Sequence, residues 1–115
     1  MLVLTFAASG VGNCAEVGGV PYVYARTDRG AFITAARCSH RGGPLHLATL
    51  DASGNRLLCP WHDQPTSMTR LLRKGIPAVR SGNRVTAVFA VAADTEVATS
   101  HRPLSPELCG ARRAG

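Results

Sequence analysis

With 115 residues, 45% of them hydrophobic and 17% charged, and with 13 basic against 7 acidic side chains for a net charge of +6, the chain is sized for one small domain and leaves no room for a second catalytic module. The composition excludes wholesale disorder, and the longest uncharged run, residues 1–15, is too interrupted by Thr5, Ser9, Gly10, Gly12 and Asn13 to cross a membrane as a helix. A domain of this mass buries only about two-thirds of its extended surface, so a bound metal or a cross-link would add materially to its stability.

In chain order, residues 2–7 form the first predicted strand, rich in aliphatic side chains. They lack the Lys or Arg that opens a secretory signal, and Asn13 stands before Cys14 where a lipoprotein signal has a small residue, so a cytoplasmic, reducing setting is expected. Gly18-Gly19 leads into a second strand over residues 22–26. Thr27-Asp28-Arg29-Gly30 is a turn short enough to fold a third, residues 31–36, back antiparallel. Residues 37–75 show no strong periodicity, yet they hold two of the four Cys, three of the four His and the only Trp. An irregular stretch of that length inside a small domain points to function. Ser81-Gly82-Asn83 then turns into a last strand over residues 84–92, where Val85, Ala87, Phe89 and Val91 share one face. After Ala93 the chain becomes rich in Ser, Pro and Arg, and residues 94–115 are expected to form a C-terminal tail that packs weakly. The class is mostly β.

The chemistry concentrates in the irregular stretch. Cys38-Ser39-His40 is followed, after eighteen intervening residues, by Cys59-Pro60-Trp61-His62, so each segment offers one thiolate and one imidazole. The cysteines are not spaced as a dense disulfide framework. A zinc finger draws Cys pairs and His pairs from separate elements; a mononuclear zinc site stays open as an alternative, because the ligand types are the same. Two such loops facing each other can instead give both sulfurs to one iron and both imidazoles to a second, which is the ligand set of a Rieske 2Fe-2S centre.

Cys38-Ser39-His40-Arg41-Gly42-Gly43-Pro44-Leu45 together with Cys59-Pro60-Trp61-His62 resembles the paired cluster-binding loops of Rieske-type ferredoxins, and a weaker similarity extends over about residues 20–92. The resemblance implies a Rieske fold. This is a mostly-β, antiparallel β-sandwich-like base domain built from three small sheets, spanning residues 1–93, with a cluster-binding subdomain inserted at about residues 37–63. It also implies one 2Fe-2S cluster, with Cys38 and Cys59 on the inner iron and His40 and His62 on the outer, solvent-facing one. Gly42-Gly43-Pro44 is read as a turn that lets backbone approach the cluster, and Pro60 and Trp61 as its shield. His46 and His101 stay outside the ligand set, as a loop and a tail residue. Cys14 and Cys109 are read as small buried or free thiols. The loops lack the extra cysteine pair of high-potential relatives, so the midpoint is expected at the low end for such centres, at roughly −200 to 0 mV. Asp63-Gln64-Pro65-Thr66-Ser67-Met68 departs from the family's Gly-to-aromatic continuation; Met68 is expected to fill the space of the missing aromatic.

A chain of this size cannot be a complete Rieske oxygenase, which needs a mononuclear iron held by two His and a carboxylate; His46 and His101 do not supply one. The expected function is therefore that of a one-electron carrier between a flavin reductase and an oxygenase or similar acceptor. The alternatives are a small Rieske subunit of a larger redox complex, resembling that of assimilatory nitrite reductase, and a zinc-stabilised binding module. Arg37, Arg41 and Arg56 fall in the cluster subdomain and Arg70, Arg73 and Lys74 follow it. Their expected complement is an acidic docking face on a protein partner, not a nucleic acid or a membrane, since surface charge mainly sets encounter rates. A monomer is compatible with this reading.

Overall fold

A computed structural model of the chain describes residues 1–37, 42–61, 65–73 and 75–109. Among them are ten strands: β1 (Leu2–Ala7), β2 (Cys14–Val17), β3 (Val20–Thr27), β4 (Gly30–Ala35), β5 (Thr49–Leu50), β6 (Arg56–Leu58), β7 (Pro65–Ser67), β8 (Ala78–Ser81), β9 (Arg84–Phe89) and β10 (Val97–Ser100). One short helix, α1 (Met68–Arg73), and two single 3-10 turns, Leu45–Leu47 and Pro106–Leu108, complete the described elements. The strands form three antiparallel sheets, ordered β1-β9-β8, β10-β2-β3-β4 and β5-β6-β7. Three small antiparallel sheets agree with the mostly-β architecture expected from the loop resemblance.

The β3–β4 hairpin shows how local chemistry sets the register. Thr27 pairs with Gly30, leaving Asp28-Arg29 as the two-residue loop, and Gly30 takes φ 138°, a conformation side chains oppose. The Thr27 hydroxyl accepts from the Arg29 amide at 3.1 Å and donates to the Gly30 carbonyl at 3.0 Å. From that register Tyr24 lies opposite Ile33 and Ala25 opposite Phe32, on alternate faces of the sheet.

The two faces of this central sheet look into different cores. Ala15, Val17, Tyr22, Tyr24 and Ile33 pack against Leu2, Leu4 and Phe6 of β1 and Val85, Ala87 and Phe89 of β9, with the Tyr22 and Phe89 rings tilted and 5.1 Å apart. Ala25 and Phe32 face the other way, onto Leu45, Ala48, Leu57, Cys59, Met68 and Leu108. Each fully buried Leu, Val or Phe removes enough apolar surface from water to contribute about 1.5–3 kcal/mol, so both layers are held chiefly by burial. β4 is buried on successive residues Phe32, Ile33 and Thr34 because it serves both cores.

The last predicted strand ends earlier than its alternation suggests: β9 stops at Phe89, and Val91 lies beyond it, 37% exposed. The expectation of a weakly packed tail is corrected for residues 97–109. β10 pairs along β2, Asn13 and Arg102 exchange side-chain to backbone bonds at 2.8 and 2.9 Å, and Leu108 is fully buried. Its apolar residues are too widely spaced to show a period, and the partners that anchor it to the rest of the fold lie far away in the sequence. Residues 110–115 lie outside the described residues.

Candidate metal centre

The two motif-bearing loops spring from pinned bases. Arg37 and Pro44 form an isolated antiparallel bridge, closing the base of the first loop. The Leu45 amide is shared between the carbonyls of Ala36, at 3.0 Å, and Gly43, at 2.8 Å. Leu58 pairs with Pro65 at the head of β6 and β7, closing the base of the second loop, which begins at Cys59. At the opposite end of that hairpin, Asp51 accepts from the Ser53 hydroxyl at 2.8 Å and the Asn55 amide at 3.2 Å, and Gly54 turns the chain at φ 76°. The Ser53 bond, ahead of the other partners, holds the exposed Asp51 carboxyl below its ordinary pKa. Asn55 then accepts from the Met68 amide at 2.9 Å, which fixes the start of α1.

Cys59 is completely buried, at the edge of the core formed with Leu45, Leu57, Met68 and Leu108. A Cβ built on Gly43 would lie 2.7 Å from Cys59 Sγ, and 3.0 and 3.1 Å from Cγ and Cβ of Trp61. The glycine therefore lets the backbone of the first loop press directly on the thiol of the second. Gly42 beside it takes φ 73°, so the pair supplies both the turn and the close approach. Trp61, 49% exposed, stands over this contact at the surface. Met68 is fully buried in the same core as Cys59.

Of the four candidate ligands, the structure describes Cys59. Cys38, His40 and His62 lie outside the described residues, as do Arg41 and Asp63. The described part of the site fits an iron–sulfur centre on one observation: a buried thiol, Cys59, capped by a side-chain-free backbone contact from the other motif. Gly42-Gly43 was legible in the sequence as a close-approach turn; its partner, Cys59 Sγ, was not.

His46 is buried in the 3-10 turn after Pro44, with Nδ1 3.4 Å from the Ala36 carbonyl. Desolvation by burial lowers its pKa from 6.5, the Ala36 carbonyl opposes that, and the Arg102 charge lowers it further. His101 is exposed, Cys14 is a buried free thiol and Cys109 a half-buried one. No described helix is long and apolar enough to cross a membrane. In comparison with known families, the model described as the Rieske [2Fe-2S] domain matches residues 7–80. Comparisons with curated proteins and with solved structures gave no match.

Proposed function

Because the chain belongs to the Rieske 2Fe-2S domain family, which implies one Rieske-type cluster and an electron-transfer role, we propose that it is a ferredoxin-like one-electron carrier, taking electrons from a flavin reductase to an oxygenase or similar oxidoreductase. In this reading Cys38 and Cys59 hold the inner iron and His40 and His62 the outer one. When bound, the cluster supplies a site that accepts and releases one electron at a potential raised by the neutral imidazoles relative to four thiolates.

The chain's own residues do the rest. Leu45, Leu57 and Met68 keep water from Cys59, so a bound iron and the neighbouring backbone, not solvent, would stabilise its thiolate. Gly43 gives the first loop room to close on that sulfur. The half-exposed Trp61 and the exposed Arg37, at the base of the first loop, form surface near the loops that an acidic partner can meet. A reducing cytoplasm suits the free thiols Cys14 and Cys109.

The observation that carries this reading is the contact of Gly43 with Cys59 and Trp61, which brings the two motifs together. Gel filtration of a native extract, followed by stopped-flow reduction of the purified chain with a flavoprotein reductase, tests it. The carrier is expected to elute alone and to be reduced and reoxidised in single-electron steps. Co-elution with a large oxidoreductase would instead make it a subunit, and a chain that takes up no electrons would overturn the proposal.

A further inference from the structure

The C-terminal segment lies beyond the stretch that matches the family, residues 7–80, yet it is bonded to the residues directly behind the metal loops. The Ser105 amide donates to the His46 carbonyl at 3.0 Å and the Ser105 hydroxyl to the Ala48 carbonyl at 2.5 Å. The Leu50 amide donates to Glu107 Oε1 at 2.5 Å. Of these three backbone groups, His46 lies in the 3-10 turn, Ala48 is the residue that ends it, and Leu50 belongs to β5, a two-residue edge strand that is paired on one side by β6. Residue Ala48 is fully buried, and a buried backbone carbonyl without a partner is costly. Leu108 enters the core that contains Leu45, Leu57, Cys59 and Met68.

The segment is itself anchored to the central sheet at both ends. Asn13, 2% exposed, bonds reciprocally with the Arg102 backbone, and Arg26 Nη2 donates to the Cys109 carbonyl at 2.7 Å. It thus spans from one fixed point to another and grips residues 46–50 between them. Those residues follow Gly43 and Pro44 with only Leu45 between, and Gly43 sits against Cys59 Sγ with no room for even a methyl group. A small displacement of residues 46–50 is therefore passed to the contact between the two motifs.

We propose that residues 102–109 act as a positioning strap, in which Ser105, Glu107 and Leu108 hold residues 45–50, and through them the Gly43–Cys59 contact, in the geometry that retains the cluster. The inference rests on the reading of Cys59 as a ligand. Ser105, Glu107 and Leu108 are positioning residues; they act through the backbone of the first loop.

The test compares holoprotein of the wild type with Ser105→Ala, Glu107→Ala and the conservative Glu107→Gln, which keeps an oxygen acceptor. Cluster release to an iron chelator is followed by visible absorbance, and amide hydrogen exchange is followed residue by residue. The two alanine variants are expected to release the cluster about ten-fold faster, which corresponds to about 1.4 kcal/mol and matches the scale of one buried hydrogen bond. Glu107→Gln should stay within about two-fold of wild type. Protection should fall at residues 45–50 and persist in β1 and β9. Opening of residues 45–50 with unchanged cluster release would overturn the positioning role. A uniform loss of protection that includes β1 and β9 would reduce the segment to general structural support, and would overturn it too. A wild-type chain that holds no iron would sink the ligand reading and the strap's role with it, a result separated from the others by iron analysis of the wild type alone.

Discussion

Replacing Gly43 with alanine probes the contact on which the site depends. The added methyl would stand 2.7 Å from Cys59 Sγ and 3.0 and 3.1 Å from two atoms of Trp61. Comfortable non-bonded separations are about 3.5–4.0 Å, so the closest contact falls short by roughly 0.8–1.3 Å. Cys59 is fully buried and Trp61 is tethered two residues on, so neither can move without shifting the loop. Overpacking of this kind costs about 1–3 kcal/mol, or a fall in Tm of about 4–12 °C at roughly 4 °C per kcal/mol for a chain of this size. Gly54→Ala is the control. It meets nothing within 4 Å, but its φ of 76° is left-handed, at a cost of roughly 1–2 kcal/mol for an L-residue. The two stability losses overlap, so cluster content and the visible circular dichroism of the purified proteins make the distinction. Gly43→Ala is expected to lose cluster and Gly54→Ala to keep it. If Gly43→Ala retained wild-type cluster content, spectrum and Tm, the two loops would not close on each other as described.

Leu57→Ala empties a fully buried position between Cys59, Met68 and Leu108; urea unfolding should show a loss of about 2–5 kcal/mol, and a loss under about 1 kcal/mol would mean that the core is not closed there. His46 is buried with a lowered pKa, so the unfolded chain takes up its proton first as pH falls. The stability it contributes is complete above 6.5 and is lost as pH drops from there towards the folded-state value. An NMR titration of the His46 ring should give a midpoint below 6.5, and one at or above that value would contradict its burial. On the proposed docking of the +6 chain against an acidic partner face, electron transfer with the physiological partner should slow as ionic strength rises; a rate insensitive to salt would remove charge from the docking account.

What could be read from the sequence follows from where its information is local. β1, the β3–β4 hairpin and β9 carry alternation or turn residues within a few positions, and all were predicted within a few residues of their ends. β8 was missed because all four of its residues, Ala78, Val79, Arg80 and Ser81, are exposed, so no buried face marks it. β5, β6 and β7 have two or three residues each, too few to display a period. The C-terminal segment was misjudged because Asn13 meets Arg102 across 89 positions and Ser105 meets Ala48 across 57; neither end signals the other. The two Cys-His motifs are local patterns and stand out in the sequence. The contact that joins them depends on a missing side chain at Gly43, and the partner of that vacancy is visible only once the chain is folded.

The central claim is that this chain holds a Rieske-type cluster through its two Cys-His motifs. It is tested most directly by iron and acid-labile sulfide analysis with the EPR spectrum of the dithionite-reduced protein, for wild type, Cys38→Ser and Cys59→Ser. The account predicts two irons and two sulfides per wild-type chain, in keeping with the family match, a reduced-state signal of a centre with mixed nitrogen and sulfur ligands, and loss of both in each variant. A colourless wild-type protein containing one zinc and no sulfide, or a cluster that survives both substitutions, would contradict it.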